Sequence, residues 1–66
     1  MMQVFINQQI HSMPKGATLA DAVMQAGIQP PFAAAVNLQF VPRTHYAQHT
    51  LEANDKIELI APITGG

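Results

Sequence analysis

Three features of this chain could do chemistry: the Gly65-Gly66 pair that closes it, the pair His45 and His49, and the lone arginine Arg43. A glycine pair has no side chains, so its backbone can thread a narrow slot and adopt dihedral angles that other residues avoid. With Gly66 as the last residue, the group offered to a partner is one unhindered α-carboxylate, an acyl carbon open to activation. Chance would place glycine at both final positions in about 0.5% of chains at its ~7% frequency. A frayed terminus is the bland reading and a presented carboxylate the sharp one.

His45 and His49 stand as i, i+4, which on a helix puts both imidazoles on one face. Zinc takes four ligands, or three and a water, and here only His11 could add a third imidazole. No metal site is expected, and His49 is read as a hydrogen-bonding anchor for its segment. Arg43 is either a solvated charge near Glu52 or Asp55, worth little, or a contact for an acidic partner surface.

Sixty-six residues make one domain. A chain of that size buries only about 60% of the surface its unfolded form exposes, so its stability is marginal. It lacks cysteine, so no disulfide or cysteine-based zinc site staples it and it has no thiol of its own. Apolar residues make up 48% and charged residues only 11%, against a usual charged share of about 25%. So few charges leave apolar surface exposed, which points to a protein partner. The net charge of −1 with three Lys+Arg gives no footprint for nucleic acid. No apolar stretch approaches the ~20 residues that cross a bilayer, and the first residues lack a basic signal-peptide region. A cytoplasmic protein is the expectation.

The elements that must position these groups follow from periodicity. Residues 2–6 alternate as a strand with Met2, Val4 and Ile6 on one face. Asn7-Gln8 is a two-residue turn, and residues 9–13 form the return strand, ended by Pro14-Lys15-Gly16. Thr18 with Asp21 is a capping box that opens a helix, whose stripe is Leu19, Ala22, Val23 and Ala26. Gly27 is the expected left-handed stop. Residues 32–36 read as a third strand, Asn37-Leu38-Gln39 as a turn, and residues 40–41 as a fourth strand stopped by Pro42. Residues 43–50 carry too little pattern for more than a helical turn or a loop. Asn54 suits a left-handed turn, and residues 56–61 are the last strand with Ile57, Leu59 and Ala61 on one face. The order ββαβββ, with one helix to cover one face of a mixed sheet of four to five strands, is an α+β domain. The first hairpin and the last strand are expected to pair. Residues 1–62 form the domain and residues 63–66 a tail. Met1, Met2, Met13 and Met24 are core or edge fillers. Phe5, Glu58 and Ile60 fall on the face opposite the helix. Ile60 there is a candidate docking anchor, unless the segment from Phe40 to Thr50 covers it.

The run from Ala35 through Val36, Asn37, Leu38, Gln39, Phe40, Val41 and Pro42 to Arg43, then Tyr46-Ala47-Gln48-His49, Asp55 and the Gly-Gly end, resembles the ThiS family. These are the sulfur carriers of thiamine thiazole biosynthesis, with the ubiquitin-like β-grasp fold. The likeness spans essentially the whole chain. One departure is Asn54, where the family usually carries glycine; asparagine is the next-best residue for a left-handed turn.

The resemblance implies a carrier, not an enzyme. An adenylyltransferase of the ThiF type would join the Gly66 carboxylate to AMP from ATP, with no cofactor bound to the carrier. A persulfide donor, a cysteine desulfurase or a sulfurtransferase, would convert the adenylate to a thiocarboxylate, and thiazole synthase (ThiG type) would receive the sulfur. Ile63, Thr64 and Gly65 would thread the partner's active site; the four residues 63–66 reach about 13–14 Å at ~3.3–3.6 Å per residue. Phe5, Arg43, Glu58 and Ile60 would dock the partner. The competing readings are the small subunit of molybdopterin synthase, a ubiquitin-like modifier, and an inert β-grasp interaction domain.

Overall fold

Alternation in the first strand decides which side of the sheet is covered. The computed structural model describes residues 1–61. Strand β1 (Met2–Ile6) buries Met2, Val4 and Ile6 and leaves Gln3 and Phe5 on the other face. It returns through Asn7-Gln8, both at positive φ (49° and 71°), as β2 (Gln9–Met13). Positive φ at both central residues matches the right-handed twist of a tight hairpin.

Helix α1 (Leu19–Ala26) opens on the expected box: the Asp21 amide donates to Thr18 Oγ1, and the Thr18 amide donates to Asp21 Oδ2 at 2.9 Å. Such a cap is worth about 1 kcal/mol. The helix ends at Gly27, left-handed at φ 70°, whose amide donates to the carbonyls of Val23 and Met24. Leu19 and Ala22 are fully buried against the sheet and Val23 is half-buried. Ala26 is exposed, contrary to the expected stripe, because the last turn of the helix overhangs the core.

Strands β3 (Ala33–Val36), β4 (Gln39–Val41) and β5 (Lys56–Ile60) complete a five-stranded sheet in the order β2-β1-β5-β3-β4. β5 lies parallel to β1, with Ile6 beside Ile57, and antiparallel to β3, with Ala33 opposite Ile60. The expected pairing of the first hairpin with the last strand is therefore present. Three boundaries differ from expectation. Phe32 lies outside β3 because its ring stacks on Tyr46 (centroids 6.0 Å, 18° between planes). Gln39 belongs to β4, because Asn37 and Leu38 alone make the turn, at φ 52° and 70°. Ala61 is exposed and lies beyond β5, so it does not join the buried face of Ile57 and Leu59.

Arg43–Gln48 is a 3₁₀ helix of six residues rather than an irregular loop. Its Tyr46 is buried on the helix side of the sheet. The chain after it is tied to the start of α1: the Leu19 amide donates to the His49 carbonyl (2.9 Å), and the Leu51 amide to the Ala17 carbonyl (2.8 Å). This whole segment closes the covered side. Met2 and Met13 fill the core as expected, whereas Met1 is exposed at the start of the chain and Met24 stands on the outer side of α1, filling neither core nor sheet edge. Asn54 sits at φ 70°, the left-handed turn expected of it.

Leu38 is exposed and left-handed, a position where glycine relieves strain and asparagine or glycine is preferred. Leu38→Gly should therefore raise the unfolding free energy by about 0.5–1 kcal/mol, read by urea denaturation. A loss of stability would show that the leucine side chain makes contacts that the turn requires.

Candidate functional site: the open face and the end of the last strand

With α1 and the 3₁₀ segment both on one side, the other side of the sheet has no covering element among the described residues. Its side chains follow from the strand registers. Phe5 of β1 lies beside Ile10 of β2 on one flank and Lys56 of β5 on the other. Glu58 faces Ala35, which faces Phe40 of β4; Ile60 faces Ala33. Phe40 is 70% exposed, Ile10 62% and Ile60 58%, while Phe5 is half-buried. Two small residues, Ala33 and Ala35, floor the strip between Phe40 and the Glu58–Ile60 row, so larger side chains rim a shallow apolar trough. Large exposed apolar residues scattered singly are ordinary; several on one uncovered face make it a candidate contact surface.

The sequence-derived docking residues divide. Phe5, Glu58 and Ile60 share the open face, as expected. The segment from Phe40 to Thr50 does not cover them, since its 3₁₀ helix packs on the opposite side. Arg43 does not belong to this group. It opens the 3₁₀ helix and lines a depression of about 380 Å³ on the helix side, together with Val23, Ile28, Phe32 and Tyr46. Asp55 is not its counter-ion; that carboxylate accepts from Asn37 Nδ2 (3.0 Å) and from the Glu52 amide (2.8 Å). Phe40 and Ile10 were missed by sequence reasoning. Their alternation with buried Val41 and half-buried His11 carried the signal, but the faces of such short strands are assigned only once neighbours are known.

A second depression, of about 550 Å³, lies where β1 turns away from β5 and is lined by Phe5, Asn7, Gln8, Lys56, Ile57 and Glu58. It lies beside the first half of β5, short of Ile60, where β5 runs on past the end of β1. Ile63, Thr64, Gly65 and Gly66, and the expected boundary between residues 62 and 63, lie outside the described residues.

The histidines are not gathered. His11 Nδ1 lies 3.2 Å from Gln25 Nε2 of α1. His49 anchors its segment through its backbone rather than its imidazole, accepting from Leu19. Among the described residues no group of three or more His, Cys, Asp or Glu is placed to hold a metal ion. No helix among them is long and apolar enough to cross a membrane.

A family model described as the ThiS family matches residues 2–66, nearly the whole chain. The chain belongs to the ThiS family. It is 36% identical over 66 residues to the sulfur carrier protein ThiS of Escherichia coli (strain K12), covering 98% of this chain and 100% of that protein. Its fold matches the crystal structure of the thiamine biosynthesis protein ThiS from Geobacter metallireducens with a TM-score of 0.81, at 13% identity, over 98% of this chain and 100% of that one. At that identity the structural likeness speaks for the fold, a ubiquitin-like β-grasp of five strands and one helix.

If the trough is a contact surface and not part of the core, its side chains contribute little to folding. Ile60→Lys and Phe40→Ser should each leave the unfolding free energy within about 0.5 kcal/mol of the parent. A loss beyond about 2 kcal/mol in denaturant titration would mean that this face is packed.

Proposed function

We propose that this chain is a cytoplasmic sulfur carrier of thiamine thiazole biosynthesis, acting as a co-substrate of partner enzymes. The observation that carries the reading is the family match, which runs through the glycine pair to residue 66. The relative in Escherichia coli is named for the same role. The fold supports it in a physical way: it supplies an exposed apolar face, and its last described strand, β5, is internal to the sheet.

The chemistry needs little from the domain itself. A free carboxylate is a poor acylating agent, so an ATP-dependent adenylyltransferase joins the Gly66 carboxylate to AMP and releases pyrophosphate. The terminal sulfur of a protein persulfide attacks the acyl carbon and AMP leaves. A thiol then cleaves the resulting acyl disulfide, leaving a thiocarboxylate on the carrier and a disulfide on the donor side. Thiazole synthase accepts that sulfur and the carrier returns with a carboxylate. The carrier holds no cofactor; ATP is consumed by its partner.

Its own residues act by presentation. Ile63, Thr64 and Gly65 would span a channel of about 13–14 Å together with Gly66, and glycine at 65 and 66 removes every side chain from the narrowest part. Phe5, Phe40 and Ile60 would meet the partner's surface, with Glu58 adding a charge at the rim. Arg43, on the other side of the sheet, would serve a second contact with an acidic partner surface.

Incubation of the chain with ATP, its adenylyltransferase and a persulfide donor should add about 16 Da to the intact mass, one oxygen exchanged for sulfur. Gly66→Val should fold normally, by circular dichroism, and acquire neither AMP nor sulfur. Ile60→Lys should be adenylated with a raised KM. Normal sulfur loading of Gly66→Val would contradict the threading role, and no mass change in the parent would contradict the carrier role.

A further inference from the structure

β1 and β5 run parallel, but their backbone pairing stops early. Phe5 lies beside Lys56 and Ile6 beside Ile57, and the Asn7 amide donates to the Ile57 carbonyl at 2.9 Å. There β1 turns away into the hairpin, while β5 continues to Ile60. On the side that faces β1, the next backbone groups of β5 are the N–H and C=O of Leu59. No strand reaches them. The Asn7 carboxamide does: the Leu59 amide donates to Asn7 Oδ1 at 2.9 Å, and Asn7 Nδ2 donates to the Leu59 carbonyl at 3.2 Å. One side chain thus stands in for a peptide unit and extends the ladder past the end of its own strand.

Few residues can do this from Asn7. The position is left-handed, at φ 49°, which asparagine and aspartate tolerate better than other side chains. The task needs one donor and one acceptor at fixed spacing, which a carboxamide has and a carboxylate lacks. Glutamine would overshoot by a methylene. The residue is therefore specified both by the turn and by a contact fifty-two positions along the chain.

We infer that Asn7 is a positioning residue for acyl activation: its carboxamide locks the penultimate residue of β5, and so fixes the direction in which the last strand delivers the reactive carboxylate. The inference rests on the sulfur-carrier reading and adds to it a residue that belongs neither to the glycine pair nor to the exposed apolar side chains of the trough, although it borders Phe5 and Glu58. Without the carboxamide, the end of β5 is held from the β3 side alone, through Ile60 opposite Ala33. An angular error at the strand end is passed on to the residues that follow it, and misplacement of about 1 Å can cost on the order of a hundredfold in rate.

The test uses the full chain, ATP and the adenylyltransferase, with ATP–pyrophosphate exchange as the readout. Asn7→Gly is the informative variant, since glycine suits the left-handed turn and only the carboxamide is lost. It should lower kcat about five- to tenfold with KM for the carrier within about twofold, because the side chains of Phe5, Phe40, Glu58 and Ile60 are all retained. Asn7→Asp keeps an acceptor for the Leu59 amide but sets a carboxylate oxygen against the Leu59 carbonyl, and should fall between. In the free protein, amide exchange at Leu59 should quicken at least about tenfold in Asn7→Gly, with that at Leu51 unchanged. An unchanged kcat, or a loss confined to KM, overturns the positioning role, as does a lowered melting temperature with kcat intact. If the parent chain itself is not adenylated, the carrier reading fails and the positioning role with it, while Leu59 exchange still reports whether the clamp forms.

Discussion

Pairing of β5 on both its edges is the interaction on which the rest of the structure depends. The sheet order β2-β1-β5-β3-β4 contains two hairpins that share no backbone ladder with each other. Within the sheet they are joined through β5, the last strand among the described residues, which also contributes buried Ile57 and Leu59 to the core they share. Removing it would leave two separate ribbons, each marginal alone. The chain therefore closes its fold with the same strand that leads to its glycine pair. An edge strand is held on one side only; β5, as an internal strand, is held on both.

Two asparagines secure that strand, and both come from hairpin turns. Asn7 takes Leu59 near the end of β5. Asn37 takes its start: the Asn37 amide donates to the Lys56 carbonyl (2.7 Å), and Asn37 Oδ1 accepts from the Lys56 amide (3.0 Å). Each sits left-handed at the first position of a two-residue turn, so the residue that permits the turn also supplies the polar side chain. The consequence for function is a division of surfaces. α1 and the 3₁₀ helix spend their apolar side chains on one face of the sheet, and Phe5, Ile10, Phe40 and Ile60 are left on the other. A chain with 11% charged residues has little with which to cover them.

Local signals were legible in the sequence. The Thr18–Asp21 box, Gly27, the first hairpin and the alternation of Ile57 and Leu59 each depend on residues a few positions apart, and each stands where it was expected. Non-local contacts were not legible. Phe32 has the aromatic character of a strand residue, yet the ring of Tyr46 holds it outside β3. Gln39 joins β4 rather than the turn because Leu38 takes the second left-handed position, which the local sequence does not favour. Arg43 follows Pro42 directly, but only the anchoring of Tyr46 reveals that it faces the helix side, away from Phe5, Glu58 and Ile60. The Asn7 clamp has no sequence signature, because its partner lies at the far end of the chain. The role of the glycine pair came from composition, position and family resemblance, not from any geometry of the domain.

In the proposed function the domain is a handle for one acyl carbon. The most direct test is a chain bearing a carboxamide in place of the Gly66 carboxylate, supplied to a reconstituted mixture of adenylyltransferase, persulfide donor and thiazole synthase. The account predicts an unaltered fold and no sulfur transfer to product. Thiazole formation at the rate of the uncapped chain would contradict it.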